Sequence, residues 1–266
     1  MTRTVRVALN GASGRMGQAL LDLLRRDARF ELVHAVVAAG SAHDGMPLSV
    51  PAPTALRFAH DWSGAPAMDV VVDFSSPSAL STALDHCLAH GVALVSGTTG
   101  LDAGLEARLA SAGSSVAWLR AANFSLGVAV LARLLREAAA ALPGWDLEIV
   151  EAHHGRKLDA PSGTALALGH AAAQARHTTL DAARVATDAM RTGARVEGSI
   201  GFAVVRGGDI VGEHSAMLIG AGERLELVHR ATDRSIFARG ALEAAFWLAG
   251  RAAGQWQLDD VIAATR

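Results

Sequence analysis

Val5-Arg6-Val7-Ala8-Leu9-Asn10-Gly11-Ala12-Ser13-Gly14-Arg15-Met16-Gly17 is the stretch on which the fold turns. Residues 5–9 are a short apolar, β-branched run, the composition of a buried strand. Glycines follow at 11, 14 and 17, and apolar residues at helical spacing then run over 16–24. A strand, a glycine turn and a helix in that order bring free backbone N–H groups and the positive end of a helix to one point. With no Cβ in the turn, a pyrophosphate can approach that point closely. The spacing is GxxGxxG rather than GxGxxG, so the motif depends on its context, and the strand before it and the helix after it supply that context.

Outward from this loop the same alternation continues. Strand patterns at 32–37, 70–73, 93–96 and 115–119 are separated by helical patterns at 79–89 and 104–110. Val70-Val71-Val72 reads as a strand buried on both faces. Strands alternating with helices predict an α/β fold, a Rossmann-like doubly wound parallel sheet with right-handed crossovers. After residue 125 the pattern changes. A long helix over 126–141 is stopped by Pro143-Gly144, and a strand at 146–152, a polar loop at 153–163 and a helix at 164–175 follow. Strands at 199–205, 212–219 and 224–231 are joined by glycine turns with no helix between them, the mark of a mixed or antiparallel sheet. The expected organisation is a dinucleotide-binding domain over 1–125, completed by the C-terminal 237–266, where an apolar helix covers 237–253. Residues 126–236 form a second α+β domain for substrate binding and oligomerisation. Residues 178–195 carry no clear pattern.

Composition narrows the function classes. Over 266 residues, 51% are apolar and 19% charged, a globular balance, and the formal charge of −2 provides no basic surplus for nucleic acid or a membrane surface. No apolar run approaches the roughly 20 residues of a membrane span, and the N-terminal residues lead into the first strand without a signal-peptide core. One cysteine, Cys87, sits in a helical pattern with no partner, which fits a buried residue in a reducing, cytoplasmic compartment.

The chemistry is concentrated in Glu151-Ala152-His153-His154-Gly155-Arg156-Lys157-Leu158-Asp159-Ala160-Pro161-Ser162-Gly163-Thr164. Histidine exchanges a proton near neutral pH, and Lys and Arg hold carboxylates. Ser162-Gly163-Thr164 offers the N–H groups of a helix start to an anion. This inventory suits a small acidic molecule that must be protonated. Adjacent histidines with no third ligand at a recognised spacing predict no metal.

Six blocks carry a resemblance that runs nearly end to end: GASGRMG (11–17), DFSSP (73–77), SGTTG (96–100), AANFSLGV (121–128), EAHHGRKLDAPSGTA (151–165) and GSIGFAVVRGGDIVGEH (198–214). The chain resembles the 4-hydroxy-tetrahydrodipicolinate reductases, also called dihydrodipicolinate reductases, of the diaminopimelate route to lysine. The resemblance implies that NADH or NADPH delivers hydride to a cyclic unsaturated dicarboxylate formed by loss of water. It makes His153 and Lys157 catalytic, and gives substrate carboxylate to His154, Gly163 and Thr164. It lays the pyrophosphate along Gly11, Ala12, Ser13, Gly14, Arg15 and Met16, and the nicotinamide half along Gly97, Thr98, Thr99, Ala121, Ala122, Asn123 and Phe124. It further implies a homotetramer built through the second sheet, and domain closure around substrate.

The sequence departs from the family at two places. The ribose-binding acid aligns with Val37 and the following position, often Arg, is Ala38, so the sequence sets no preference between NADH and NADPH, although Arg15 could serve a 2′-phosphate. Asp188-Ala189-Met190 before Arg191-Thr192-Gly193-Ala194-Arg195 also differs, and that segment is given no role. A homoserine- or aspartate-semialdehyde-type dehydrogenase is the rival within the same class; the latter needs a nucleophilic loop cysteine, which Cys87, in a helical pattern, is not. A sensor that has lost catalysis predicts dinucleotide binding without turnover, and a purely interacting protein leaves the 153–157 loop unexplained.

Overall fold

The computed structural model describes residues 4–48, 56–185 and 194–264. The altered segment at 188–193 lies outside them. The chain divides into two compact units, Met1–Ser125 with Ser235–Arg266, and Leu126–Arg234.

In the first unit, β1 (Val5–Asn10), β2 (Phe30–Val36), β3 (Val70–Asp73), β4 (Ala93–Ser96), β5 (Ala117–Arg120) and β10 (Gly254–Trp256) form one sheet in the order β10-β5-β4-β3-β1-β2. Every pairing is parallel. All four residues of β3 are buried, as helices on both faces require. Helices α2 (Pro77–His90) and α3 (Ala103–Ala112) close one apolar layer through Leu80, Leu84, Cys87, Leu105 and Leu109. Helix α7 (Ser235–Leu248) packs beside α1 (Arg15–Leu24) and over β3, β4 and β5. The doubly wound parallel sheet is therefore as expected. Sequence order reverses between β1 and β3, so the crevice beyond their carboxyl ends is a topological switch point, where such sheets bind ligands.

The C-terminal helix differs from expectation. It spans Ser235–Leu248 rather than running to 253, because Gly250 takes a left-handed φ of 81° that ends the turn. The chain then adds β10 beside β5, and a last helix, α8 (Leu258–Ala263). Neither was expected from an alanine-rich stretch with helical composition.

The second unit is built on β6 (Asp146–His153), β7 (Ile200–Arg206), β8 (Gly212–Ile219) and β9 (Arg224–Ala231) in the order β7-β6-β8-β9. β6 runs parallel to β7 and antiparallel to β8, which makes the sheet mixed. Helices α4 (Leu126–Ala141) and α5 (Gly163–Ala175) cover one face with Leu131, Leu135, Leu168 and Ala172 against Leu147, Ile149, Ala216 and Leu218. A short helix, α6 (Leu180–Ala183), occupies part of the segment without a clear pattern.

Candidate active site

Strand periodicity positions the acid–base groups. Side chains two apart share a face, so Leu147, Ile149, Glu151 and His153 point the same way along β6. The first two belong to the apolar core under the helices, and the last two lie where the core gives way to the loop preceding α5. Register pairs Glu151 with His214 on β8 and His153 with Arg206 on β7. The chain thus meets there from three strands and one helix start.

Glu151 is fully buried, and four donors converge on its carboxylate. Arg206 donates from Nη1 to Oε2 and from Nη2 to Oε1, both at 2.7 Å. The Ser162 backbone N–H reaches Oε1 at 2.9 Å, and His153 Nδ1 lies 2.6 Å from Oε2. Burial alone would raise this carboxyl, but the Arg206 fork, His153 and the Ser162 N–H outweigh it and hold Glu151 at about 2. An ionised carboxylate only accepts, so His153 Nδ1 carries a hydrogen. Among the described residues His153 Nε2 has no hydrogen-bond partner. A side chain at position 212 would bring its Cβ within 3.1 Å of that atom, so Gly212 keeps the space beside it open.

His214 packs edge to face on His153 with centroids 5.3 Å apart. Its Nε2 is 3.2 Å from Ser162 Oγ, and among the described residues its buried Nδ1 has no partner. Burial, then the charge of His153, push it down to about 4, so it stays neutral beside its neighbour. Ser162 caps α5 by accepting from the Ala165 N–H at 3.1 Å, and Gly163 stands exposed at the first helical position. Lys157 pairs with Asp159 at 2.9 Å, and Arg206 also donates to the Asp159 carbonyl at 2.7 Å. The loop is held to the β7–β8 turn by His154 N–H to the Ile210 carbonyl and Gly207 N–H to the His153 carbonyl. Desolvation, then the cations Arg234, Arg156 and Lys157, lower His154. His153, His154, Lys157, Gly163 and Thr164 are therefore brought together in one place. Glu151, Arg206 and His214 were not singled out from the sequence. The usable signal was the period of two that puts Glu151 on the face of His153.

The glycine loop lies at the switch point. Gly11 has a φ of 80°, and any Cβ there would overlap the Phe74 carbonyl oxygen. A Cβ on Gly17 would collide with the Gly11 oxygen and stand 2.5 Å from that of Ala12. The N–H groups of Gly11 and Ala12 donate to the Val36 carbonyl, and the first turn of α1 begins at Gly14 with no side-chain cap. A cavity of about 500 Å³ opens here, lined by Gly11, Ser13, Gly14, Val37, Ala38 and His60, among others. Its volume and its backbone cradle fit a dinucleotide's phosphates and adenosine end. At the end of β2 the wall is apolar, without the ribose-binding acid, and His60 faces it, backed by Asp44 at 2.8 Å.

Behind the loop, the buried Asp73 ties three strand ends together. It accepts from Asn10 Nδ2 at 2.8 Å, from Ser96 Oγ and Thr98 Oγ1 at 2.7 Å each, and from the Ser75 hydroxyl. Thr98 thus commits its hydroxyl internally, and the side chains of Ala12 and Phe124 are buried. Any contact from Thr98 or Ala12 to a cofactor is through backbone. Gly97 must be glycine because the Phe74 ring occupies its Cβ position, and Phe74 stacks edge-on against Phe124 at 5.5 Å. Gly11–Met16, Gly97–Thr99 and Ala121–Phe124 follow the carboxyl ends of β1, β4 and β5 of the parallel sheet, with β3 between β1 and β4, on one edge of the sheet. Among the described residues no group of three His, Cys, Asp or Glu side chains is placed to hold a metal, and no helix is long and apolar enough to cross a membrane.

A glycine cradle at the switch point of a parallel sheet, with an acid–base loop on a separate mixed sheet, defines a two-unit reductase of the pyridine-nucleotide class. The chain belongs to the dihydrodipicolinate reductase family, whose N-terminal model matches residues 5–124 and whose C-terminal model matches residues 127–262. It is 46% identical over 264 residues to the 4-hydroxy-tetrahydrodipicolinate reductase of Xanthomonas campestris pv. campestris (strain B100), spanning 98% of this chain and 99% of that one. The enzyme of the same name from Stenotrophomonas maltophilia (strain R551-3) is 46% identical over 97% of this chain and 98% of its own. The fold matches that of the dipicolinate-bound dihydrodipicolinate reductase from Paenisporosarcina sp. TG-14, with TM-score 0.79 and 23% identity, over 97% of this chain and 99% of that one. The family uses NADH or NADPH.

Proposed function

We propose that this chain reduces 4-hydroxy-tetrahydrodipicolinate, by way of dihydrodipicolinate, to tetrahydrodipicolinate in the diaminopimelate route to lysine. The observation that carries this reading is the loop from Glu151 to Thr164. One imidazole is fixed through Nδ1, a lysine lies four residues on, and an uncovered helix start follows. Bound NADH or NADPH, held along Gly11–Met16, Gly97–Thr99 and Ala121–Phe124, supplies the hydride. Hydride addition to the conjugated imine leaves an electron-rich enamine carbon, which must gain a proton. His153 donates that proton from Nε2, and Lys157 is the second donor and steadies the developing negative charge. His154 and the N–H groups of Gly163 and Thr164 hold a substrate carboxylate. A relative with this fold binds dipicolinate, a ring with two carboxylates, which supports a small dicarboxylate as substrate.

The working assembly is a homotetramer formed through the second unit's sheet, and the working compartment is the cytoplasm, with no role for nucleic acid. Val204, Val205, Leu225 and Val228 lie exposed on β7 and β9, which supports an interface on that sheet. The test of function is a coupled assay with freshly generated substrate, following NADH and NADPH oxidation separately. Substrate-dependent oxidation of either nucleotide is expected. Binding of nucleotide without turnover would favour a sensor instead.

A further inference from the structure

We propose that Glu151, clamped by Arg206, is the positioning residue that fixes His153 with its Nδ1–H inward and leaves Nε2 as the single proton-exchanging atom. This rests on the reading of His153 as the proton donor, and it names what makes that imidazole competent.

Oε2 of Glu151 receives His153 Nδ1 and Arg206 Nη1, while Oε1 receives the Ser162 N–H and Arg206 Nη2. All the partners on both oxygens are donors, so the site accepts only an ionised carboxylate, and the imidazole facing it must present a hydrogen at Nδ1. Arg206 has a second effect. A bare buried carboxylate would trap an imidazolium as an ion pair and keep its proton. Shared with a bidentate guanidinium, the same carboxylate orients the ring while its charge is already balanced. The neighbouring rings take no part in the exchange: His214 is buried and neutral, and its Nε2 is engaged by Ser162. The other charged or titratable groups near His153 are His154, Arg156, Lys157 and Asp159 on the loop, Arg234 beside His154, and His229 on β9 beyond His214.

Glu151→Gln is the perturbation. An amide must turn its NH₂ toward Oε1's donors or toward His153 Nδ1, so it cannot satisfy both sides. Where it faces His153, Nδ1 becomes an acceptor and the hydrogen moves to Nε2. The expected result is a fall in kcat on the order of 10²-fold or more, as for other imidazoles deprived of their orienting carboxylate, with little change in substrate KM. The pH profile of kcat should be displaced, and Arg206→Lys, which keeps the charge without the fork, should give an intermediate rate.

Nitrogen–proton correlation spectra of uniformly labelled wild-type protein give an independent readout, with the His153 signals assigned by their loss in His153→Gln. A protonated Nδ1 and an unprotonated Nε2 in the neutral ring are expected. A neutral wild-type ring with its hydrogen on Nε2 and none on Nδ1 overturns the proposal, and this measurement stands even if Glu151→Gln does not fold. A folded Glu151→Gln with wild-type kcat, or with reduced kcat but unchanged tautomer and pH profile, also overturns it. Wild-type kcat in His153→Gln would instead overturn the functional reading beneath.

Discussion

Arg206→Ala should destabilise the protein by about 3 kcal/mol at pH 7.5, and the deficit should shrink in acid. The wild-type pair is bidentate at 2.7 Å on each arm, and the carboxylate is fully buried. Removing one partner of such a pair leaves an uncompensated charge, at a cost of about 3–5 kcal/mol. A second route gives a similar figure. The carboxyl of Glu151 is held at about 2 where 4.5 is ordinary, and at 1.36 kcal/mol per pH unit this is worth roughly 3 kcal/mol. Arg206 is the foremost of the groups that lower it.

The sign follows from linkage. A carboxyl lowered in the folded state stabilises fully above its unfolded value, and that stabilisation is lost as pH falls from about 4.5 towards 2. At pH 3 less than half of it should remain. Equilibrium urea unfolding, followed by far-ultraviolet circular dichroism at one protein concentration, reads the deficit at both pH values. A loss below about 1 kcal/mol at pH 7.5, in the range of an exposed ion pair, would rule out a buried, uncompensated Glu151 carboxylate. A deficit that grows on acidification would rule it out too.

Two other outcomes follow from the first unit. Gly17→Ala places a Cβ against the carbonyl oxygens of Gly11 and Ala12, so the loop must move at a cost of about 1–3 kcal/mol; cofactor KM should rise at least severalfold in steady-state assays, with substrate KM little changed. Burial pushes the Cys87 thiol far up, so a thiol reagent should label it only on the timescale of unfolding, and rapid stoichiometric labelling of native protein would contradict its placement in the core.

Much of this was legible in one dimension. Val70–Asp73 could be read as doubly buried because every side chain is apolar until the last, and Gly11 because a turn between strand and helix needs its left-handed φ. The helix after the 153–162 loop is visible from Ser162 and Gly163. What local sequence does not carry is pairing between distant segments. Arg206 is 55 residues from the carboxylate it clamps, and His214 meets Glu151 only through antiparallel register. Nothing in local composition fixes that register. β10 escaped for the opposite reason: Ala252 and Ala253 continue a helical composition, while Gly250 and the open edge of β5 decide the backbone. The absence of a ribose-binding acid near Val37 was read directly, but the approach of His60 to the same cavity depends on a loop folding back.

If His153 Nε2 supplies the proton that completes the reduction, a single turnover in D₂O with undeuterated NADH or NADPH should show it. The expected product carries one protium from the cofactor and one solvent deuterium on the adjacent carbon, and His153→Gln should form it on the order of 10²-fold more slowly at unchanged cofactor affinity. Deuterium delivered at the wild-type rate by that variant would contradict it.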